Sequence, residues 1–326
     1  MSAPSSVVAA PVSGEDPTQT APLGTVSSPV RGRRKLRSRI GRIAAWAFLI
    51  ASLVLTLFPF YWMLRTSFSS NGALAANSGS LLPADVSLGG WQRVLGLATP
   101  QEALADGGSG ASLDFWLYLR NSIIVATVTT VVQTFFCALA AYAFARLRWP
   151  GRNTLFFLFL TALMIPPIFT TLPNFILIRD LGLLNTFLGI MLPSLLMAPF
   201  SIFFLRQFFL GIPRELEEAA RLDGAGYTRT FFQVVVPISN APITTLAILT
   251  YIGTWNEYFW PLLVGRSEEV RVLTVALGVF RSQTPQGSPD WAGLMAATLI
   301  SALPIIILFA LLGRRVINSI GFSGLK

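Results

Sequence analysis

Six stretches of the chain stay apolar over the length, about 20 residues, that a helix needs to cross the hydrocarbon core of a bilayer: 46–64, 122–144, 155–178, 187–209, 241–264 and 292–312. Polar residues gather between them. The pattern predicts an all-α membrane protein of six transmembrane helices. The other setting for such runs, the buried core of a soluble protein, would need a polar shell that this chain cannot supply. Proline falls inside almost every stretch, as Pro59, Pro166, Pro167, Pro173, Pro193, Pro199, Pro261 and Pro304. A proline within a helix removes a backbone hydrogen bond and kinks it, so kinked spans with cavities between them are expected. "MIPPIFTTLP" concentrates three prolines and predicts a break near the middle of the third span.

Outside the spans, residues 1–40 form a basic tail, rich near its start in Ala, Pro, Ser, Thr and Val and expected to be disordered. Residues 41–326 make up the membrane domain. The longest connection, 65–121, carries an apolar core expected to be helical, "WQRVLGL", and is large enough for a docking surface. Between the fourth and fifth spans lies a polar knot, "EEAARLDGAG", holding Glu217, Glu218 and Asp223 just after Glu215. The segment 211–237 reads as two short helices. Pro213 suits a first helical position, the glutamates crowd the first turns, Glu217 and Arg221 are spaced to pair, and Gly224 and Gly226 supply a stop. Leu216, Ala219, Ala220 and Asp223 share one face, and the alanines allow close approach. A second segment, closed by Pro237, carries Tyr227, Phe231, Phe232 and Val235. So many aromatics predict that it docks into a partner or folds back on the bundle; an interfacial helix pair is the alternative.

Composition sharpens the picture. The chain is 53% hydrophobic and 12% charged, with a net charge of +9. Placing the N-terminus in the cytoplasm puts most of the 24 Lys and Arg residues on that side, in 31–42, 146–152, 206–229 and 314–326. Basic residues near span ends are retained inside, so both termini and the loop 211–237 are expected to be cytoplasmic. The basic excess is then topology, with some attraction to anionic membrane lipid, and it does not point to nucleic acid. One cysteine, Cys137, and no histidine exclude an intrachain disulfide, a Cys-based metal site and His-dependent catalysis. No G-x-x-x-x-G-K-[ST] loop is present, so an ATP-driven process would need another polypeptide as its engine.

Glu257, in "TYIGTWNEYFWPLL", is the one ionisable residue well inside a predicted span. A carboxylate there costs about 2.5–3.5 kcal/mol on insertion scales, so it should face a cavity, a partner or the bundle interior. Trp255, Asn256, Glu257 and Tyr258 together offer the aromatic faces and polar groups that bind sugars. A structural role for Glu257, with the tryptophans as core, stands beside that reading. An enzyme using Glu257 as base lacks a second carboxylate and a metal constellation.

"EAARLDGAGYTRTFFQVVVP" resembles the Glu-Ala-Ala…Gly signature of permease subunits of binding-protein-dependent ABC importers. The matching positions are Glu218, Ala219, Ala220, Gly224 and Pro237, with Val236 where that family usually has Leu. "NSIIVA", "MIPPIFTTLPNFILIRDLGLLNT", "FFLRQFFLGIPRELEEAARLDGAG" and "WNEYFWPLLV" are similar to the carbohydrate, MalG-like branch, from about residue 40 onward. The resemblance implies a type I importer bundle in the bacterial cytoplasmic membrane, a non-catalytic subunit moving a sugar by alternating access. Its implied partners are a second permease subunit in a heterodimer, two cytoplasmic ATP-binding subunits that hold the ATP and Mg, and an extracytoplasmic sugar-binding protein; no cofactor belongs to this chain. It also implies that 211–237 contains the coupling helix, with Glu218, Ala219, Ala220, Asp223, Gly224, Tyr227 and Phe231 facing the ATPase and Glu218 meeting a basic residue there. Local pairing with Arg214 or Arg221 is the alternative for Glu218. The companion permease can hold most substrate contacts, and polyols and glycerol phosphates travel through similar permeases. "GRRVINSIGFSGLK" resembles the tail that reaches the ATPase interface, or serves as a basic membrane anchor.

Overall fold

A computed structural model of the protein describes residues 31–77, 79–108, 113–282 and 289–321. Most of the expected tail and the last residues of the C-terminal segment lie outside these. The described residues are helical apart from loops and one isolated antiparallel bridge, Ser69 to Val86. In chain order the helices are α1 (Arg31–Ser67), α2 (Asn71–Ala76), α3 (Gly89–Val94), α4 (Pro100–Ala105), α5 (Phe115–Arg146), α6 (Arg152–Ala162), α7 (Pro167–Asp180), α8 (Phe187–Leu195), α9 (Pro199–Leu210) and α10 (Arg214–Leu222). There follow α11 (Tyr227–Thr230), a π-helical turn (Phe231–Val235), α12 (Val236–Ile238), α13 (Asn240–Asn256), α14 (Phe259–Val264), α15 (Leu273–Ser282) and α16 (Trp291–Gly321).

The chain divides into two units, Met1–Leu57 and Phe58–Lys326. In the first, α1 presents Ile43, Trp46, Phe48, Leu53 and Leu55 exposed, as a helix with lipid for solvent would. The second unit holds the remaining helices.

Three helices are long and apolar enough to cross a membrane unbroken: Gly41–Ser67, Phe115–Arg146 and Trp291–Gly313. Three bent pairs pass the same test together, giving up to six crossings if each pair is one span. Arg152–Ala162 turns by 100° into Pro167–Asp180, Phe187–Leu195 by 44° into Pro199–Leu210, and Tyr227–Ile238 by 80° into Asn240–Asn256. The break expected in the third span is therefore present, but it is close to a right-angle turn rather than a kink. The expected fifth span is corrected: its helix ends at Asn256 and a new one starts at Phe259.

Proline position explains which spans break. The residue before a proline is pushed out of the α region, and a proline at a helix start needs no N–H partner. Pro166 and Ala198 are extended, with ψ 134 and ψ 124, and Pro167 and Pro199 open the helices that follow them. Pro59, Pro173, Pro193 and Pro304 sit inside helices that continue. At the α8–α9 break, Cys137 Sγ accepts the Ala198 N–H at 3.3 Å, so the one thiol meets a freed backbone group.

Helix α5 is the central post. One of its faces buries Tyr118, Asn121, Val125, Thr129, Gln133, Cys137 and Ala141, and α8, α9, α13 and α15 pack around it. Near its Arg146 end, Phe144, Phe209, Ile212, Phe231 and Val235 form one apolar cluster; near its Phe115 end, Val94, Tyr118, Trp255, Phe280 and Ala296 form another.

At the Phe115 end a polar latch closes α2, α3 and α4 onto the start of α16. Arg93 Nε lies 2.7 Å from Asp290 Oδ2 and its Nη1 2.8 Å from Asp106 Oδ2. Asn71 Nδ2 donates to Asp290 Oδ1 at 2.6 Å and its Oδ1 accepts from the Ala292 N–H at 3.1 Å. Burial works against the Arg93 charge, yet hydrogen bonding and attraction from Asp290 and then Asp106 hold its pKa above the usual arginine value. Beside the latch, α3 meets α16 at a glycine: a Cβ on Gly90 would fall 2.8 Å from the carbonyl carbon of Ala292. Gly90→Ala is expected to force these backbones apart and destabilise the protein by about 1–3 kcal/mol, read as a lowered Tm in detergent, whereas Gly72→Ala, with open space around it, should leave Tm unchanged.

Candidate functional site

The polar knot folds as α10, a nine-residue helix with acidic residues in its first turn and a hydrogen-bonded C-terminal closure. Pro213 is extended (φ −55, ψ 132) and stands just before the helix rather than as its first turn, and Glu215 and Glu217 follow where the dipole favours anions. At the other end Gly224 adopts φ +80. The Gly224 N–H donates to the Arg221 carbonyl and the Ala225 N–H to the Ala220 carbonyl, each at 2.9 Å, which is a Schellman closure. The second segment does not end at Pro237. It passes through a π turn in which the Val236 N–H reaches back to the Phe231 carbonyl, and this wider turn makes room for the proline ring that would clash in a regular helix.

The expected pairing of Glu217 with Arg221 is not what forms. Glu217 turns inward and meets Arg146 at the end of α5, Oε1 to Nε 2.9 Å, with 6% and 4% of the two side chains exposed. Arg146 Nη2 also donates to the carbonyls of Phe209 and Ile212, so one guanidinium caps the C-terminal end of α9 and grips α10. A cation at a helix C-terminus and a buried ion pair support each other here. Periodicity could not find this, because Arg146 reads as a topological charge and Glu217 as one of three surface glutamates.

Below that clamp the apolar anchors are Ile212, Phe231 and Val235, all buried in the same cluster as Phe209 and Tyr142. The aromatic-rich segment thus folds back on the bundle. Of the residues expected to face a partner, Phe231 is therefore corrected to core: its ring packs on Tyr142 with centroids 5.3 Å apart. Glu218, Ala219, Asp223, Gly224 and Tyr227 are exposed and Ala220 is half-buried. Leu216 is exposed as well, and Leu222 is 90% exposed. Glu218 forms no ion pair with Arg214 or Arg221; Arg221 instead lies over the Tyr227 ring at 5.1 Å. Between α10 and the α5–α6 turn opens a cavity of about 790 Å³ whose wall includes Arg148, Arg152, Arg214, Arg221 and Glu218.

A second candidate region lies at the break after α13. Glu257 Oε1 accepts the N–H groups of Phe259 and Trp260 at 3.1 and 3.2 Å, so the carboxylate caps the start of α14. It also lines a cavity of about 270 Å³ with Ser122, Thr129, Gln133, Ser194, Thr250, Thr254 and Trp260. The four residues expected to act together separate. Trp255 is buried and stacked on Tyr251, centroids 5.9 Å apart, away from this wall. Asn256 is exposed and its Nδ2 returns to the Ile252 carbonyl at 2.8 Å. Tyr258 leans over Gly278, where a Cβ would meet its ring at 2.8 Å. The wall residues that sequence reading passed over, Ser122, Thr129, Gln133, Thr250 and Thr254, recur at helical spacing on α5 and α13, and that polar stripe on otherwise apolar helices was the available signal. Among the described residues no group of three His, Cys, Asp or Glu is placed to hold a metal ion.

Residues 133–320 match the model of a family described as binding-protein-dependent transport system inner membrane component. The chain is 32% identical over 298 residues to the probable ABC transporter permease protein YurM of Bacillus subtilis, covering 91% of this chain and 93% of that one. It is 35% identical over 212 residues to the arabinooligosaccharides transport system permease protein AraQ of Halalkalibacterium halodurans, covering 65% and 75%. Among solved structures it is similar to a chain of a bacterial ABC transporter involved in the import of the acidic polysaccharide alginate, with a TM-score of 0.73, 25% identity and coverage of 88% and 99%.

The buried pair makes a stability prediction that separates two adjacent glutamates. Glu217→Ala should cost about 3–5 kcal/mol by stranding the Arg146 charge, while Glu218→Ala should change stability by no more than about 0.5 kcal/mol. Thermal unfolding of the purified variants measures both, and equal losses would contradict the clamp.

Proposed function

The chain belongs to the family of binding-protein-dependent transport system inner membrane components, and from that premise we propose that it forms one half of the translocation pathway of an ATP-driven importer for a sugar. As an inner membrane permease subunit of this family it is multi-pass, non-catalytic and without a cofactor of its own. The finer reading has six spans, with the three bent helix pairs counted as one each, and both termini in the cytoplasm. The gathering of Arg148, Arg152, Arg214 and Arg221 around one cavity at the Arg146 end supports that orientation.

The observation that carries the mechanism is the two-sided construction of α10. Glu217 and the segment behind it are bound into the bundle, whereas Leu216, Glu218, Ala219, Leu222 and Asp223 are left uncovered. A short helix closed at its C-terminal end and clamped from behind passes a push to α5 and α9 as a rigid body. We assign the uncovered face to a cytoplasmic ATP-binding subunit, with Glu218 meeting a cation there and Ala219 allowing close approach. When two such subunits close on ATP, α10 moves with them and the helices around the Glu257 cavity open toward the side from which a binding protein delivers cargo. A second permease subunit completes the pathway. The names of AraQ and of the alginate transporter, together with a cavity walled by hydroxyls, an amide, a carboxylate and an indole, support a saccharide as that cargo.

Glu218→Lys is expected to leave folding intact, because the residue is exposed, and to lower ATPase activity and uptake by the co-expressed complex at least about tenfold, the effect of 1.4 kcal/mol at the interface. Full activity with normal assembly would remove α10 from the coupling role.

A further inference from the structure

The cavity beside Glu257 has a chemical signature that narrows the cargo class, and this inference rests on the sugar-importer reading. Thr129 is 1% exposed and its hydroxyl has no hydrogen-bond partner. Gln133, one turn further along α5, is 7% exposed and lines the same space. An unsatisfied buried hydroxyl costs about 1–3 kcal/mol, and Thr129 belongs to the wall of a cavity that Thr250 and Thr254 also line. A bound polyol would supply what such groups lack, partners for both donor and acceptor. The indole of Trp260 is fixed by its Nε1–H on the Ile190 carbonyl at 3.0 Å, which gives the wall a rigid aromatic surface for the apolar C–H face of a sugar ring.

Charge then decides between classes of sugar. Among the described lining residues Glu257 alone is ionisable, and no Lys or Arg joins it. Its Oε1 is engaged by two main-chain N–H groups, which leaves the second oxygen to accept from a ligand hydroxyl. Five arginines, Arg146, Arg148, Arg152, Arg214 and Arg221, line the other cavity, and Arg271, beside the lining residue Val272, is directed over the Tyr118 ring instead. We infer that this site passes an uncharged saccharide, one ring at a time, and discriminates against uronates and sugar phosphates. A neutral hydroxyl donates to the carboxylate in a charge-assisted bond, whereas a carboxylate or phosphate on the cargo meets like charge with no cation to offset it. At about 270 Å³ the space lies just under the range of about 300–1,000 Å³ usual for small-molecule sites, which suits a single pyranose or furanose unit of a longer chain.

The test uses the assembled complex in nanodiscs and the fluorescence of Trp260, isolated by subtracting a Trp260→Phe complex. The titrants are arabinobiose, maltose and cellobiose, set against digalacturonate and sn-glycerol 3-phosphate. At least one neutral disaccharide should give a saturable change, with every acidic titrant about tenfold weaker or more. Thr129→Val should weaken the neutral ligand about fivefold, the loss of one hydrogen bond of about 1 kcal/mol. Glu257→Gln retains an acceptor for the Phe259 and Trp260 N–H groups while removing the charge, and it should close most of the gap between neutral and acidic ligands. Acidic titrants binding as tightly as neutral ones, or a gap untouched by Glu257→Gln, would overturn the inference and leave the sugar-importer reading standing. A response to leucine or dileucine, titrated in parallel, with none to any sugar would defeat that broader reading instead. Silence from every titrant, in a complex that still hydrolyses ATP, would show that the cavity is not a ligand site.

Discussion

Arg146 and Glu217 face each other at 2.9 Å with almost no solvent between them and the protein interior, and everything at that end of the bundle depends on their staying together. Taking two such ions out of water costs several kcal/mol each, and only the pairing and the surrounding hydrogen bonds offset it. Separation therefore leaves two stranded charges, so the contact resists pulling far more than an exposed pair of the same length would. Because the same guanidinium holds the Phe209 and Ile212 carbonyls, α5, α9 and α10 are joined at one point. The apolar anchors Phe231 and Val235 then fix the angle of the segment behind it.

How much of this was legible in the sequence follows from range. Helix type, the unbroken first, second and last spans, and the glycine stop of α10 depend on local composition and were readable. So was the break at Pro166 and Pro167, since the proline effect acts on the adjacent residue. The size of that bend, 100°, was not readable, because it is set by what α6 and α7 pack against. Glu217 and Phe231 were misread for the same reason: whether a polar or aromatic side chain faces a partner or its own core is decided by helices distant in sequence. Glu257 sits between, since a carboxylate in an apolar run announces a special site while its capping of α14 needs the break at residue 257 to be seen.

The two cavities divide the labour of charge. Near Arg146 the wall is dominated by arginine, suited to meeting acidic groups, whereas near Glu257 it is neutral but for one carboxylate. Keeping cations away from the interior wall also limits the desolvation penalty inside a membrane. A single polypeptide thus carries a strongly cationic wall and a nearly neutral one at separate places, without either field overwhelming the other.

The latch at the Phe115 end has a mechanical corollary. Asp290, immediately ahead of α16, is the common partner of Asn71 and Arg93, so the connecting segment 71–106 is tethered to the base of the last long helix and cannot be displaced independently of it. Helix α16 in turn lies along α13, whose Thr250 and Thr254 form part of the cavity wall. A displacement of that segment would therefore be carried along a stiff strut, α16 packed on α13, to the wall of the chamber, giving the loop the character of a doorbell wired to another room.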